Sequence, residues 1–383
     1  MVREKKRLRR SDLEQLARGP MDLPFLMLTM LLLGFGLIML LSASSASSYY
    51  ETGGNATAYF VKQAIFAAGG VAAMFAISKV DYQTFRGLSV VVLGAAVFLL
   101  LLVLIPGVGV TRNSATRWLD FGFTQFQPSE LAKLGIILYF SAKISKAKDK
   151  IATVRGLIPF VLVLFAVTGL LILEPHMSGA ILILAVGASL LFAGGMRLYW
   201  IVGGGAVIGA GLLFVVTNTQ YMASRIQLWR DPWSDPLGKG FQAIQSLYAI
   251  GSGGLLGLGL GKSRQKFLYL PEEHNDFIFA IVCEELGYIG ACIVLILFAL
   301  LVLRGYWLAM HARDRFGSLL IVGITTLLAV QVFLNIGVVT NFFPVTGISL
   351  PFFSYGGTAL MIQLIEMGIV LSVSRQIPAA RAG

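Results

Sequence analysis

The sequence predicts an all-α polytopic membrane protein with about ten transmembrane helices, both termini in the cytoplasm, and a large extracytoplasmic loop between the seventh and eighth helices. Three observations carry that expectation. Of 383 residues, 57% are hydrophobic and 13% charged, and the mean hydropathy is +0.81. That is more apolar surface than one soluble core can hide. The apolar runs recur at roughly the 20-residue length that spans the hydrocarbon of a bilayer. Finally, Lys and Arg collect in alternate connections, as the positive-inside bias requires.

The chain opens on MVREKKRLRR and an apolar run from Leu23 to Leu41, with SASSA near residue 45. This imitates a signal peptide and its cleavage site, but the run is too long for an h-region and further spans follow, so an uncleaved first helix is expected. Spans are placed at 22–44, 58–78, 87–106, 128–145, 156–173, 178–195, 198–217, 276–303, 317–339 and 357–374. Residues 1–21 form a basic cytoplasmic segment, 22–375 a single transmembrane domain and 376–383 a cytoplasmic tail. With the N-terminus inside, the inner connections hold Lys79 and Arg86, then Lys143, Lys146, Lys148, Lys150 and Arg155, then Arg197, then Arg304, Arg313 and Arg315, then Arg375 and Arg381. The net charge of +11 thus reflects topology and contact with anionic lipid, and no aromatic-interleaved basic patch points to nucleic acid. Gly205 and Gly209 have GxxxG spacing and read as a helix contact. Cys283 and Cys292 share one helix roughly 13 Å apart along its axis, so they cannot bridge.

The outer face is uneven. Residues 107–127, 218–275 and 340–356 form long segments rich in polar, Gly and Pro signals, and loops of that length are functional more often than idle. In TRNSATRWLDFGFTQFQPSELAK, residues 111–133, Arg112, Arg117 and Trp118 lie outside. Pro128 and Glu130 open a helix carrying Lys133 one turn on. Glu130 with Lys133 reads either as a self-neutralising pair at a helix start or as charge placed to hold a phosphate-bearing substrate. In the long loop, GLGLGKS imitates a nucleotide loop, but Leu256 stands where its first Gly is needed and the segment faces away from cytoplasmic ATP. A Gly-rich turn followed by Lys262, Arg264 and Lys266 can still cradle phosphate. Third, PEEHNDFIFAIVCEELG at 271–287 gathers Glu272, Glu273, Asp276, Glu284 and Glu285. Asp276 or Asn275 could cap a helix entering the membrane. Glu284 is expected roughly 12 Å deeper, and a buried acid there needs a partner, a proton or a cavity.

QPSELAK, the run from YAIGSGG through LPEEHNDFIFAIVCEELG, and PVTGISLPFFSYGG at 344–357 resemble the SEDS proteins of bacteria, the RodA, FtsW and SpoVE group. The resemblance covers essentially the whole chain, and EPHMSG at 174–179 with LPFFSYGG leans toward the FtsW and SpoVE branch. It implies a ten-helix peptidoglycan glycosyltransferase of the bacterial plasma membrane. Such an enzyme polymerises lipid II into glycan strands on the outer face, beside a single-span class B penicillin-binding protein. The family's catalytic Asp maps onto Asp276. Two departures stand out: Asn275 where many members carry Thr, and His176 where many carry Asp.

On that reading Asp276 is the general base that takes the proton of an acceptor sugar hydroxyl in an inverting transfer. Polyprenyl diphosphate leaves, and Arg117, Lys133, Lys262 and Lys266 answer its charge, with a divalent cation (Mg or Mn) as a candidate cofactor. Glu130, Glu284 and Ser354 complete the candidate substrate contacts. A lipid II flippase would also want intramembrane charge, and a division or elongation scaffold would want only the helices. The crowding of charge at the outer rim favours an enzyme.

Overall fold

The computed structural model describes residues 19–112, 115–122, 124–200, 202–206, 226–238 and 240–377. Its helices include α1 (Leu23–Glu51), α2 (Ala58–Ser78), α3 (Gln83–Val103), α4 (Pro128–Ala147), α5 (Val154–Leu173), α6 (Met177–Ala193), α7 (Phe241–Gly253), α8 (Ile278–His311), α9 (Arg315–Val339) and α10 (Gly357–Ser374). Among the described residues α1, α2, α3, α5, α8, α9 and α10 are long and apolar enough to cross a membrane, and α6 is a shorter apolar helix. α4 carries more polar residues, and thirteen of its 20 are buried, so the bundle rather than lipid receives them. α7 lies in the long outer segment. The span expected at 198–217, with Gly209, falls largely outside the described residues, as do most of the basic N-terminal segment and of the C-terminal tail. Both cysteines are free.

Residues 107–127, expected as an irregular loop, instead contain an antiparallel sheet of β1 (Gly109–Arg112), β2 (Ala115–Asp120) and β3 (Gln125–Phe126), in the order β1-β2-β3. Val110 opposes Trp118, and Leu119 opposes Phe126. Cross-strand aromatic and β-branched pairs of this kind stabilise a short ribbon. The sheet buries Ala115 and Leu119 against the bundle and leads directly into Pro128 at the start of α4.

On the inner side, Asp22 caps α1 by accepting from Phe25 N at 2.9 Å and ion-pairs with Arg304 of α8. Asp314 caps α9 through Gly317 N at 2.8 Å while accepting from Tyr82 Oη and Gln83 Nε2. Each of these carboxylates thus satisfies an orphan helix donor and ties two spans together.

The α1–α8 pair also measures depth. From Asp22 to Ser42 is twenty residues of α1, and from Arg304 back to Glu285 is nineteen of α8; Ser42 Oγ donates to Glu285 Oε1 at 2.6 Å. Both helices therefore put the Ser42–Glu285 contact roughly 29 Å above the Asp22–Arg304 pair, which is about the thickness of the hydrocarbon core. Glu284 and Glu285 sit at the outer boundary of the membrane, not a further 12 Å into it. Just below them α8 is broken. Gly287 has φ 67° and ψ −170°, separating the half-helix Ile278–Leu286 from the membrane-crossing part. The residue must be Gly because a Cβ there would lie 2.2 Å from Gly257 N. The break frees backbone groups that the outer loop then uses. Leu258 N and Gly259 N donate to the carbonyls of Glu284 and Glu285 at 3.0 Å, and Tyr288 N and Ile289 N donate to the carbonyls of Gly254 and Leu255.

Candidate active site

A polar cavity of about 690 Å³ opens between the sheet, the loop before α8, the segment before α10 and the outer ends of α4 and α6, and reaches down between α9 and α10 to Leu327 and Glu366. Of the candidates read from the sequence, Arg117, Glu130, Lys133, Asp276 and Ser354 line it, whereas Lys262, Lys266 and Glu284 do not. The side chain of Arg112 lies outside what is described.

Asp276 is held by its backbone. The turn before it closes with Asn275 N and Phe277 N on Glu272 O, and Asn275 Nδ2 donates to Glu272 Oε2 at 2.5 Å. Fully buried Asn335 donates from Nδ2 to Asp276 O at 2.7 Å and to Ile348 O at 2.6 Å. Ser354 Oγ donates to Asn275 O and accepts from Leu350 N, both at 2.7 Å. Its hydroxyl thereby fixes the corner while lining the cavity in which a substrate contact is expected of it. Phe277 holds the N-cap position of α8 with no side-chain cap, so neither Asp276 nor Asn275 caps the helix. The Asp276 carboxylate instead points across Gly347, where a Cβ would approach Oδ2 to 3.3 Å and φ is 71°. Burial, and then the negative charge of Glu272, push the Asp276 carboxyl up to about 7, with Arg117 and His274 opposing.

Beside it, Lys133 Nζ lies 2.8 Å from Glu130 Oε1, with Lys133 almost wholly buried. Arg117, on β2, donates to Pro175 O and stands near Glu174. Both Glu174 carboxyl oxygens are buried without a hydrogen-bond partner among the described residues, and burial, opposed by Arg117, raises this acid to about 8. His176 packs its Nε2 3.4 Å from Gln127 Nε2; burial and the nearby Arg117 and Lys133 lower it to about 3, so it is a neutral imidazole in the wall.

Lys62, the aromatic group of Tyr59, His274 and Tyr355, and Glu366 also reach the cavity, although no motif in the sequence marks them. Lys62 and Glu366 sit in helices whose apolar runs mask single charges; a charged residue inside a predicted span was the available signal.

The other carboxylates serve a different purpose. Glu284 accepts from Ser263 Oγ and from Arg264 N at 3.0 Å. Glu285 accepts from Lys266 Nζ at 3.1 Å, Ser263 N at 3.2 Å and Ser42 Oγ. Lys266 also donates to Gly261 O at 2.7 Å. Lys266 and Glu284, expected to bind phosphate and substrate, are both buried away from the cavity in a latch that clamps residues 257–266 onto the broken helix, where the two acids collect donors from the loop.

The family model described as "Cell cycle protein", covering FtsW, RodA and SpoVE, matches residues 23–378. Stage V sporulation protein E of Bacillus subtilis is 44% identical over 92% of this chain and 97% of its own length. The probable peptidoglycan glycosyltransferase FtsW of Trichlorobacter lovleyi is 41% identical over 92% and 93%. Among solved structures, one reported for the structural coordination of polymerization and crosslinking by a peptidoglycan synthase complex superimposes with a TM-score of 0.79 at 30% identity, covering 94% of this chain and 99% of the other. The rod shape determining protein RodA of Thermus thermophilus gives 0.69 at 29%, covering 94% and 98%. The chain belongs to the FtsW/RodA/SpoVE family of cell cycle proteins.

Proposed function

We propose that this protein is a peptidoglycan glycosyltransferase of the bacterial inner membrane that polymerises lipid II on the outer face, with Asp276 as general base. One observation carries the reading. Asp276 has a carboxylate that no described residue hydrogen-bonds, fixed through its backbone in the wall of a large cavity that Arg117 and Lys133 also line. The acceptor hydroxyl oxygen bonds to the anomeric carbon of the donor while the carbon–oxygen bond to diphosphate breaks. Asp276 takes the hydroxyl proton, and a single displacement inverts the centre. Lys62, Arg117 and Lys133 meet the charge developing on the diphosphate.

Seven Asp or Glu side chains line the cavity against three Lys or Arg, so a diphosphate needs either protons on those acids or an accompanying cation. Among the described residues no group of three or more His, Cys, Asp or Glu could hold a metal by itself. The donor set fits a hard divalent cation that arrives with the diphosphate oxygens and takes one or two carboxylates, with Glu130 and Glu366 beside Lys133 the candidates. Such an ion would neutralise the leaving group.

The resemblance to a peptidoglycan synthase complex supports a partner, proposed as a class B penicillin-binding protein. Incubating the purified chain and that partner with labelled lipid II should give a ladder of glycan polymers. A flippase or a scaffold would give none.

A further inference from the structure

The latch at Glu284 and Glu285 holds a loop whose outward face neither the fold nor the proposed chemistry uses. Leu255, Leu256, Leu260, Phe267 and Tyr269 are between 57% and 79% exposed. Five large apolar side chains exposed within fifteen residues point to a surface that meets something other than water. Its depth follows from backbone contacts. Ile289 N donates to Leu255 O at 3.1 Å, and Ile289 is fifteen residues from Arg304 along α8. Leu255 therefore lies roughly 22 Å above the inner ion pair, about 6 Å below the Ser42–Glu285 level. The neighbouring Tyr288 and Ile289 are themselves exposed on the outside of α8.

Backbone at that depth is tolerated only where its polar groups are satisfied within the protein. At the deepest contact several are: Gly257 N donates to Gly253 O, Leu258 N and Gly259 N take the carbonyls freed by the break at Gly287, and the carbonyls of Gly254 and Leu255 accept from α8. Just after the dip come Lys262 and Arg264. Both are exposed, and neither makes an ion pair or side-chain hydrogen bond among the described residues. Their cationic neighbour Lys266 is turned inward and neutralised by Glu285.

We propose that residues 255–269 form a re-entrant anchor in the outer leaflet. Leu255, Leu256 and Leu260 lie among acyl chains, Phe267 and Tyr269 at the interface, and Lys262 and Arg264 on anionic phospholipid headgroups. Apolar side chains sunk about 5–10 Å with cations at headgroup level are what interfacial binding to anionic lipid requires. Leu268, between the two interfacial aromatics, lines the cavity, so the anchor fixes the cavity mouth at the membrane surface. The inference stands independently of the catalytic reading.

The test uses the full chain in lipid vesicles, in a Cys292→Ser background that leaves Cys283 buried. An environment-sensitive fluorophore is placed on Leu256→Cys, and as control on Thr57→Cys beyond the outer end of α1. A nitroxide on the lipid acyl chain should quench the label at 256 several-fold more than aqueous iodide does, and the order should reverse at 57. In native mass spectrometry, Lys262→Gln with Arg264→Gln should lower retained phosphatidylglycerol relative to phosphatidylcholine on the order of tenfold. If iodide reaches the label at 256 first, the loop stands in water and the proposal falls. That includes the case in which adding the penicillin-binding partner then shields it, which would make the patch a protein interface. Equal phosphatidylglycerol retention in the double variant would overturn the assignment of the two cations.

Discussion

Lowering the pH from 8 to 6 should slow lipid II polymerisation about tenfold, because the base must be ionised to accept a proton. With the Asp276 carboxyl at about 7, its ionised fraction falls from about nine-tenths to about one-tenth over that interval, whereas at the ordinary 3.8 the change would be about 1%. Two substitutions should move this limb in opposite directions. Glu272→Gln keeps an acceptor for Asn275 Nδ2 but removes the like charge that raises Asp276, so the limb shifts toward acid. It should not return to 3.8, since burial is the larger cause. Arg117→Gln removes an opposing cation and should shift it toward alkali. The assay is the initial rate at sub-saturating lipid II, where the profile reports the free enzyme. A wild-type limb below pH 5, or a Glu272→Gln limb displaced upward, would refute the electrostatic account of this corner.

Lys133→Ala leaves the half-buried Glu130 without its ion, which should cost less than the roughly 3–5 kcal/mol of a fully buried pair; thermal denaturation in detergent should show the loss, and activity should fall further than protein level accounts for. Glu285→Ala strands Lys266 and releases Ser263 N and Ser42 Oγ, so limited proteolysis should cut residues 257–266 faster than in wild type, with the Asp276 corner less affected. Reporters fused after Lys146 and after Arg313 should read cytoplasmic, and one inserted near Gly240 external; an external signal at Lys146 would overturn the topology.

Much of this arrangement was legible in the sequence. Apolar runs near span length located α2 and α10 to the residue, because a helix in lipid must satisfy its own backbone and ends where polar residues begin. Asp276, Arg117 and the Glu130–Lys133 pair were legible as charge with no membrane role. What escaped was non-local. No periodicity announces that Gly287 breaks α8, since the cause is a loop thirty residues upstream donating into the gap. Without that break Glu284 looks like a deep functional acid, and Lys266 like a phosphate ligand. Once it is placed, they are partners in one latch. The structural part of Ser354 was hidden for a similar reason: its hydroxyl bonds backbone groups of residues 275 and 350, which only the fold brings together. The sheet at 109–126 was hidden because its strands are two to six residues long.

The most direct test of the central claim is the Asp276→Asn protein. Asn keeps the shape of the side chain and removes the proton acceptor. Because burial raises this carboxyl above its unfolded 3.8, charging it costs folding stability that accumulates as pH rises from about 4 to about 7. The variant should therefore be at least as thermally stable as wild type at pH 8, and any loss of activity will not be loss of fold. With the penicillin-binding partner and labelled lipid II, glycan product should drop by about 10² to 10⁴ while lipid II binding is retained. Polymer of wild-type length and yield from Asp276→Asn would contradict the account.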